Sequence, residues 1–438
     1  MIRRDDYLEK LKKSMFNGMV KVITGIRRSG KSYLLDTIFT EYLLANGYTI
    51  GQIIKIDLDS DKNAYLRNPV NLGKHLRSVL PKDKEVFLFI DEIQKCEAIN
   101  NDAFDLSLFK NDEIIPQITF YDVLNGIMSE FKNVDLYVTG SNSKLLSKDI
   151  LTDFRGRGWE IRVMPLSFSE FYSAKGGDKG QAWMKYLRYG GMPLVASFDD
   201  DTDKSLYLHN LFEETYFKDV IEHNKLSANN KLRELTSVLA SSVGSLTNTC
   251  KLQNTFCSVE DKNISRATIE KYIECLLDSF LLHSAERYDL KGKKYIGGLK
   301  KYYFVDTGLR NACLNFRQYD RGHLMECVIY NELLRRGFDV DVGVIDVFDR
   351  NSKGVTERKH FEVDFIANIA DERLYIQSAY EIDDNEKLLQ ESKSLTRIND
   401  NFKKIIIEYD NYGIYYDNNG ILHLGLFDFL LDRNILAK

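Results

Sequence analysis

Residues 25–32 read GIRRSGKS: glycine, four residues, then glycine, lysine and serine. Strand formers precede them (Val20, Val22, Ile23), and Leu34, Leu35, Ile38, Phe39 and Tyr42 follow with helical period. Strand, tight loop and helix in that order leave the backbone few choices. The glycines let the loop curl until its N–H groups converge, and the helix N-terminus adds partial positive charge at the same point. A phosphate is the ligand such a cradle takes. Gly25, Ile26, Arg27, Arg28, Ser29, Gly30, Lys31, Ser32 and Tyr33 form the candidate cradle. Lys31 is expected to reach the β- and γ-phosphates, and the Ser32 hydroxyl to bind Mg²⁺.

A phosphate-bound metal needs a second protein group. KEVFLFIDEIQK supplies one: Val86 to Ile90 read as a buried parallel strand, followed by Asp91 and Glu92. Asp91 would hold Mg²⁺ through water, and Glu92 would orient and polarise the attacking water. A glutamate here favours a hydrolase over a small-molecule kinase. A third apolar strand, in NVDLYVTGSNSKLL, ends at Thr139, Gly140, Ser141 and Asn142. In P-loop ATPases with a catalytic glutamate, the strand between the P-loop strand and the acidic strand ends in a polar sensor. Ser141 is the first choice for it and Asn142 the second, and both residue types also suit a turn. Arg155 and Arg157 lie in the glycine-punctuated FRGRG. An arginine offered to a neighbour's γ-phosphate stabilises transition-state charge, on the order of 10³ in rate. A solvated basic turn is the alternative for either one.

At 438 residues the chain exceeds one ordinary core, and roughly three domains are expected. Net charge is −5, so any contact with nucleic acid must come from a local patch. The opening MIRRDDYLEKLKKSMF has no apolar core of a secretory signal, and apolar runs stay far below the roughly 20 residues of a membrane span. The six cysteines, at 96, 250, 257, 275, 313 and 327, form no CxxC and no zinc spacing. Reduced thiols in a cytoplasmic protein are the reading.

From Gln181 to about Lys225 the pattern is helical, broken at Gly190, Gly191 and Pro193. Further on, three helices are expected, the third capped by Ser265 and burying Ile269, Tyr272, Ile273, Leu276 and Leu277. Two strands around a glycine-bearing turn follow, and three helices with a β-hairpin make a winged helix. The hairpin carries Lys291, Lys293, Lys294, Lys300 and Lys301, which could contact phosphates. Glu270 and Glu274 on the third helix would repel duplex DNA, so DNA binding and protein docking stand level.

Taken together, GIRRSGKS, FIDEIQ, YVTGSNSKLLS, FRGRG, PLSFSEF and YGGMP resemble a family of prokaryotic AAA+ ATPases that carry a winged-helix segment and a C-terminal restriction-endonuclease-like domain. The resemblance implies an α/β fold: a doubly wound P-loop AAA+ core with the P-loop strand central (1–170), a helical lid (171–226), a winged helix (227–312) and a restriction-endonuclease-like α/β domain (313–438). It also implies ATP and Mg²⁺ as ligands, and a homo-oligomer that brings Arg155 or Arg157 to a partner's site. The segment CEAINNDAFDLSLFKNDEIIPQ departs from it, being longer than the core needs; a surface loop or a contact to a neighbour is expected there.

In the restriction-endonuclease-like fold a helix glutamate, a strand aspartate and an E/Q-x-K on the next strand surround Mg²⁺. The motif maps onto Glu326, Asp364 and Gln377, and Ala379 stands at the lysine position. Two acids and an amide oxygen could still hold a hard cation, but the ammonium that helps activate water is missing. A degenerate, binding-only or structural domain is therefore preferred to an active nuclease. The expected function is ATP hydrolysis driving conformational change, linked to double-stranded DNA or a protein partner, away from membranes. The alternatives are an ATP-dependent DNA nuclease and a slow ATP-binding switch or scaffold.

Overall fold

Five apolar runs pair in parallel in the order β2-β3-β4-β1-β5, with β1 Val20–Thr24, β2 Ile53–Asp57, β3 Val86–Asp91, β4 Val134–Thr139 and β5 Gly158–Arg162. The computed structural model describes residues 2–101, 116–140, 154, 156–224, 230–260, 264–350, 356–380, 391–410 and 413–437. It divides into two units, residues 1–164 with 278–280, and residues 165–277 with 281–438. In the first, alternate side chains of each strand feed two separate cores. Val20, Val22, Leu88, Ile90 and Val138 pack with Leu72 and Leu76 of α2 (Pro69–Val79) and Leu124 and Ile127 of α3 (Phe120–Glu130). Ile23, Phe87, Phe89 and Tyr137 pack with Tyr7 and Leu11 of α1 (Asp5–Ser14) and with Leu34, Leu35 and Phe39 beyond the loop. Helices thus cover both faces, which is why the strands read as near-continuous apolar runs. The P-loop strand is interior rather than central, one strand in from the β5 edge.

A buried ion pair interrupts this apolar sheet. Lys21 on β1 is fully buried and is bonded to Asp135 on neighbouring β4. Asp135 also accepts from Tyr137 Oη at 2.7 Å and from the Phe16 N–H at 3.1 Å. Burial pulls the Lys21 ammonium below its ordinary value, and Asp135 works against that pull. A buried pair of this kind need not stabilise against an apolar substitute, but breaking it strands a charge.

In the second unit, α4 (Phe168–Lys175) comes first, and α5 (Lys179–Tyr189) and α6 (Asp201–Asn210) lie in or overlap the stretch expected to be helical. α7 (Asn230–Ser241), α8 (Thr249–Glu260) and α9 (Arg266–Asp278) are the three further helices. Ser265 Oγ accepts from the Thr268 N–H at 3.1 Å, the cap expected of it. Ile269, Tyr272, Ile273 and Leu276 are buried, and Leu277 is only half-buried. The hairpin follows as β6 (Leu282–Asp289) and β7 (Lys294–Phe304), and Thr247, between α7 and α8, bridges to Lys300 of β7. After α10 (Thr307–Cys313) and α11 (Arg321–Arg336) come β8 (Asp339–Arg350), β9 (Thr356–Ile369), β10 (Glu372–Ala379), β11 (Lys403–Glu408), β12 (Tyr415–Tyr416) and β13 (Leu422–Gly425).

These strands form one mixed sheet, ordered β12-β13-β11-β10-β9-β8-β6-β7. The hairpin belongs to it, because Arg287–Asp289 of β6 run parallel to Val342–Val344 of β8. One sheet therefore spans the expected 312/313 boundary. Local pattern identifies a hairpin but not the distant strand that pairs with it. None of the six cysteines forms a disulfide. Among the described residues no helix is long and apolar enough to cross a membrane.

Replacing Asp135 with Leu should cost about 3–5 kcal/mol by leaving Lys21 buried and unpaired. Lys21→Met in the same chain should recover most of it. Urea unfolding of both variants checks this; an additive double variant would mean that the pair is not coupled.

Candidate nucleotide site

The carboxyl ends of β1, β3 and β4 lie side by side, and the residues just beyond them meet. Gly25 leaves β1 with φ of +134°, and a Cβ there would stand 2.1 Å from the Val163 carbonyl oxygen. No larger residue fits that passage. Gly30 at +96° and Arg28 at +60° complete the curl. Arg4, 4% exposed, ties it from outside: its guanidinium donates to the Ser29 carbonyl at 3.1 Å and to the Met164 carbonyl at 2.6 Å. The Ser29 hydroxyl is buried without a hydrogen-bond partner.

Lys31 opens the helix and folds back over the loop, donating to the Gly25 carbonyl at 2.9 Å and the Ile26 carbonyl at 3.2 Å. Burial brings its ammonium down to about 8, while the carboxylates of Glu92 and Asp91 pull it upward. Ser32 Oγ donates to Asp91 Oδ2 at 2.8 Å. A hydroxyl and a carboxylate this close are an oxygen pair that suits a hard cation. Thr139, at the end of β4, donates to the other Asp91 oxygen and accepts from the Glu92 N–H at 3.0 Å. Glu92 itself has φ of +51°, in the left-handed region, and its carboxylate receives Gln94 Nε2. Backbone strain in a non-glycine residue at a strand end concentrates at functional sites. The glycine curl, the buried ammonium, the unpartnered serine hydroxyl and the Ser32–Asp91 oxygens fit a phosphate with its cation.

Ile26 is buried, Arg27 half-buried and Tyr33 exposed. Ser141, Asn142 and Arg155 lie outside the described residues. Arg157 is exposed at the start of β5, where its carbonyl accepts from the Val20 N–H at 2.8 Å. It therefore sits at the far end of β1 from the loop, four strand rises of about 3.3 Å away. Residue pattern alone did not point to Arg4, Gln94 or Thr139 as parts of this site. Thr139 had a signal, being the first polar residue after the apolar run of β4. Arg4 had none, since its partners are 25 and 160 residues distant.

In the second unit Glu326, Asp364 and Gln377 come together, and a residue assigned elsewhere joins them. Lys301, expected among the hairpin lysines facing outward, is buried, 2% exposed. Its Nζ lies 2.8 Å from Glu326 Oε1, 2.7 Å from Glu362 Oε1 and 3.4 Å from Asp364 Oδ1. Tyr303 Oη donates to Glu326 Oε1 at 2.7 Å, and the Ser378 N–H to Asp364 Oδ2 at 2.9 Å. Gln377 Oε1 accepts from the Asp364 N–H at 3.4 Å. Burial pushes Asp364 up to about 7 against the pull of Lys301. Of the other hairpin lysines, Lys291, Lys293 and Lys294 are exposed, and Lys300 pairs with Glu286 at 2.7 Å.

A parallel five-stranded sheet with this loop and acid pair defines a P-loop domain of the AAA class, and the AAA domain family model matches residues 17–172. A domain of unknown function (DUF8612) matches residues 180–320. The chain belongs to the family of an uncharacterized protein of Haemophilus influenzae, 33% identical over 440 residues and covering 98% of this chain and 99% of that one. An uncharacterized protein of Methanocaldococcus jannaschii is 28% identical over 384 residues, 84% of this chain and 76% of that one. Among solved structures, the Aeropyrum pernix ORC1 protein in complex with DNA is similar over 72% of this chain and 92% of that one, at 11% identity and a TM-score of 0.28. An overlap that low carries neither fold nor function across.

Nucleotide phosphates favour the charged form of Lys31. Below about pH 8 that form is present before binding; above it a proton must be taken up. ATP affinity should therefore fall as pH rises from 7 to 9 in wild type and stay flat in Lys31→Arg. Titration with a fluorescent ATP analogue checks this; equal slopes would contradict it.

Proposed function

We propose that this chain is an AAA+ ATPase that binds ATP with Mg²⁺ and hydrolyses it as a homo-oligomer. The observation that carries the reading is the Ser32 hydroxyl 2.8 Å from Asp91, with Glu92 next in the chain and the buried Lys31 ammonium over the loop. Mg²⁺ would supply charge neutralisation on the phosphates. Ser32 and Asp91 would hold it, and Lys31 would trade its loop carbonyls for phosphate oxygens. Glu92, its backbone fixed by Thr139 and its carboxylate by Gln94, would orient a water and accept its proton. Thr139 replaces Ser141 as the favoured polar contact because it already touches both acids. Arg157 cannot reach its own loop, and its exposure suits service to a neighbouring copy. Arg155 remains the alternative for that role.

For the work driven, the three helices and hairpin favour a winged helix, and exposed Lys291, Lys293 and Lys294 around its turn favour a polyanion such as duplex DNA. Lys301 no longer belongs to that patch. A protein partner docking on the same hairpin is the rival.

ATP turnover with and without plasmid DNA tests both levels, using wild type, Glu92→Gln and a variant with the three exposed lysines changed to Glu. Glu92→Gln should keep ATP binding and lose turnover by on the order of 10² or more. Turnover equal to wild type would remove Glu92 from its role, and tight binding without turnover in wild type would make the protein a switch. Stimulation by DNA that the lysine variant loses favours DNA; no stimulation favours a protein partner.

A further inference from the structure

The fold that the C-terminal half resembles holds a divalent cation between its helix glutamate and strand aspartate, yet these residues do not fit one. Glu326 on α11 and the Glu362–Asp364 pair on β9 converge, but the space between them is taken. Lys301, from β7, brings its Nζ to within 3.4 Å of one oxygen of each of the three carboxylates. An ammonium has three donors, and three acceptors surround this one.

The other oxygens of Glu326 and Asp364 have neighbours as well. Glu326 Oε1 takes a second bond from Tyr303 at 2.7 Å, and His323 Nδ1 lies 3.6 Å from Oε2. Asp364 Oδ2 accepts from Ser378, and the Gln377 amide oxygen faces the Asp364 N–H while its Nε2 donates to Glu391 at 3.3 Å. Gly244 closes the Glu326 side: a Cβ there would lie 2.9 Å from Oε2. No Glu326 or Asp364 side-chain oxygen is among the buried polar atoms left without a partner. Among the described residues, no group of three or more His, Cys, Asp or Glu is arranged to hold a metal ion.

We propose that Lys301 is a built-in cation: its ammonium takes the position a divalent metal would occupy between Glu326, Glu362 and Asp364. The centre is then an ionic clamp joining hairpin strand β7, helix α11 and strand β9, not a metal site. Its chemistry is that of a largely buried ionic network, with Lys301, Glu326 and Asp364 enclosed and Glu362 at its open side, stable while complete and costly to open. The lysine absent at 379 is not restored for catalysis, because an ammonium with all three donors on carboxylates has none to offer a phosphodiester. This inference does not depend on the ATPase reading, since it concerns residues of the second unit alone.

Manganese provides the test, with the full-length protein and no nucleotide. Mn²⁺ binding is read by water-proton relaxation and by Tm for wild type, Asp364→Asn, Lys301→Met and Lys301→Met/Asp364→Asn. Wild type and Asp364→Asn should bind Mn²⁺ alike, so that whatever is bound lies elsewhere. Lys301→Met should gain a Mn²⁺ site and a Mn²⁺-dependent rise in Tm, both removed by adding Asp364→Asn. Mn²⁺ binding in wild type that Asp364→Asn abolishes would overturn the proposal. So would a folded Lys301→Met that gains no site. If Lys301→Met does not fold, Lys301→Arg with the wild-type comparison decides, because a guanidinium should also exclude Mn²⁺, and Asp364-dependent binding in either protein refutes the clamp.

Discussion

Three parallel strands that end together are the constraint on which the nucleotide site depends. Ile23 of β1 is level with Thr139 of β4, and Ile90 of β3 with Val138. That register delivers the glycine loop, the Asp91–Glu92 pair and the Thr139 hydroxyl to one edge, the crevice at the carboxyl ends where open α/β sheets bind ligands. A slip of one residue would turn Asp91 to the other face of its strand and separate it from Ser32. The apolar cores on both faces hold the register, so the precision of a few polar contacts rests on dozens of non-polar ones.

Much of this was legible in the sequence because the responsible features are local. A glycine loop between a strand and a helix, or an apolar run ending in two acids, carries its meaning within a dozen residues. The buried face of α9 and its Ser265 cap were legible for the same reason. What escaped depends on partners far along the chain. Arg4 acts on Ser29 and Met164, Lys21 on Asp135, and Lys301 on residues up to 63 positions away. Each looks like an ordinary surface cation in sequence, since lysine and arginine are rarely buried unless paired and the partners of these three are distant. The Thr139 contacts with Asp91 and the Glu92 N–H were not legible, because nothing local says where along β4 the acids stand.

The second unit shows how a pattern can be read correctly and still placed wrongly. The hairpin is present, and Thr247, between α7 and α8, bridges to Lys300 of its second strand. Its strands nevertheless continue into the eight-stranded sheet. Adjacent residues of β7 consequently have opposite environments: Lys300 reaches a solvent-facing glutamate while Lys301 is enclosed by carboxylates. Strand alternation makes this unavoidable, for successive side chains point to opposite faces. A tally of hairpin lysines overstates the positive surface, because Lys301 pairs internally with Glu326, Glu362 and Asp364.

The central claim is that Ser32 and Asp91 act together on a cation at the phosphates. It is tested most directly by measuring how Mg²⁺ changes ATP affinity in wild type and in Asp91→Asn. Mg²⁺ should tighten ATP binding in wild type and lose most of that effect in the variant. An equal Mg²⁺ effect in both would contradict the account, since the Ser32–Asp91 contact would then not be the cation's seat.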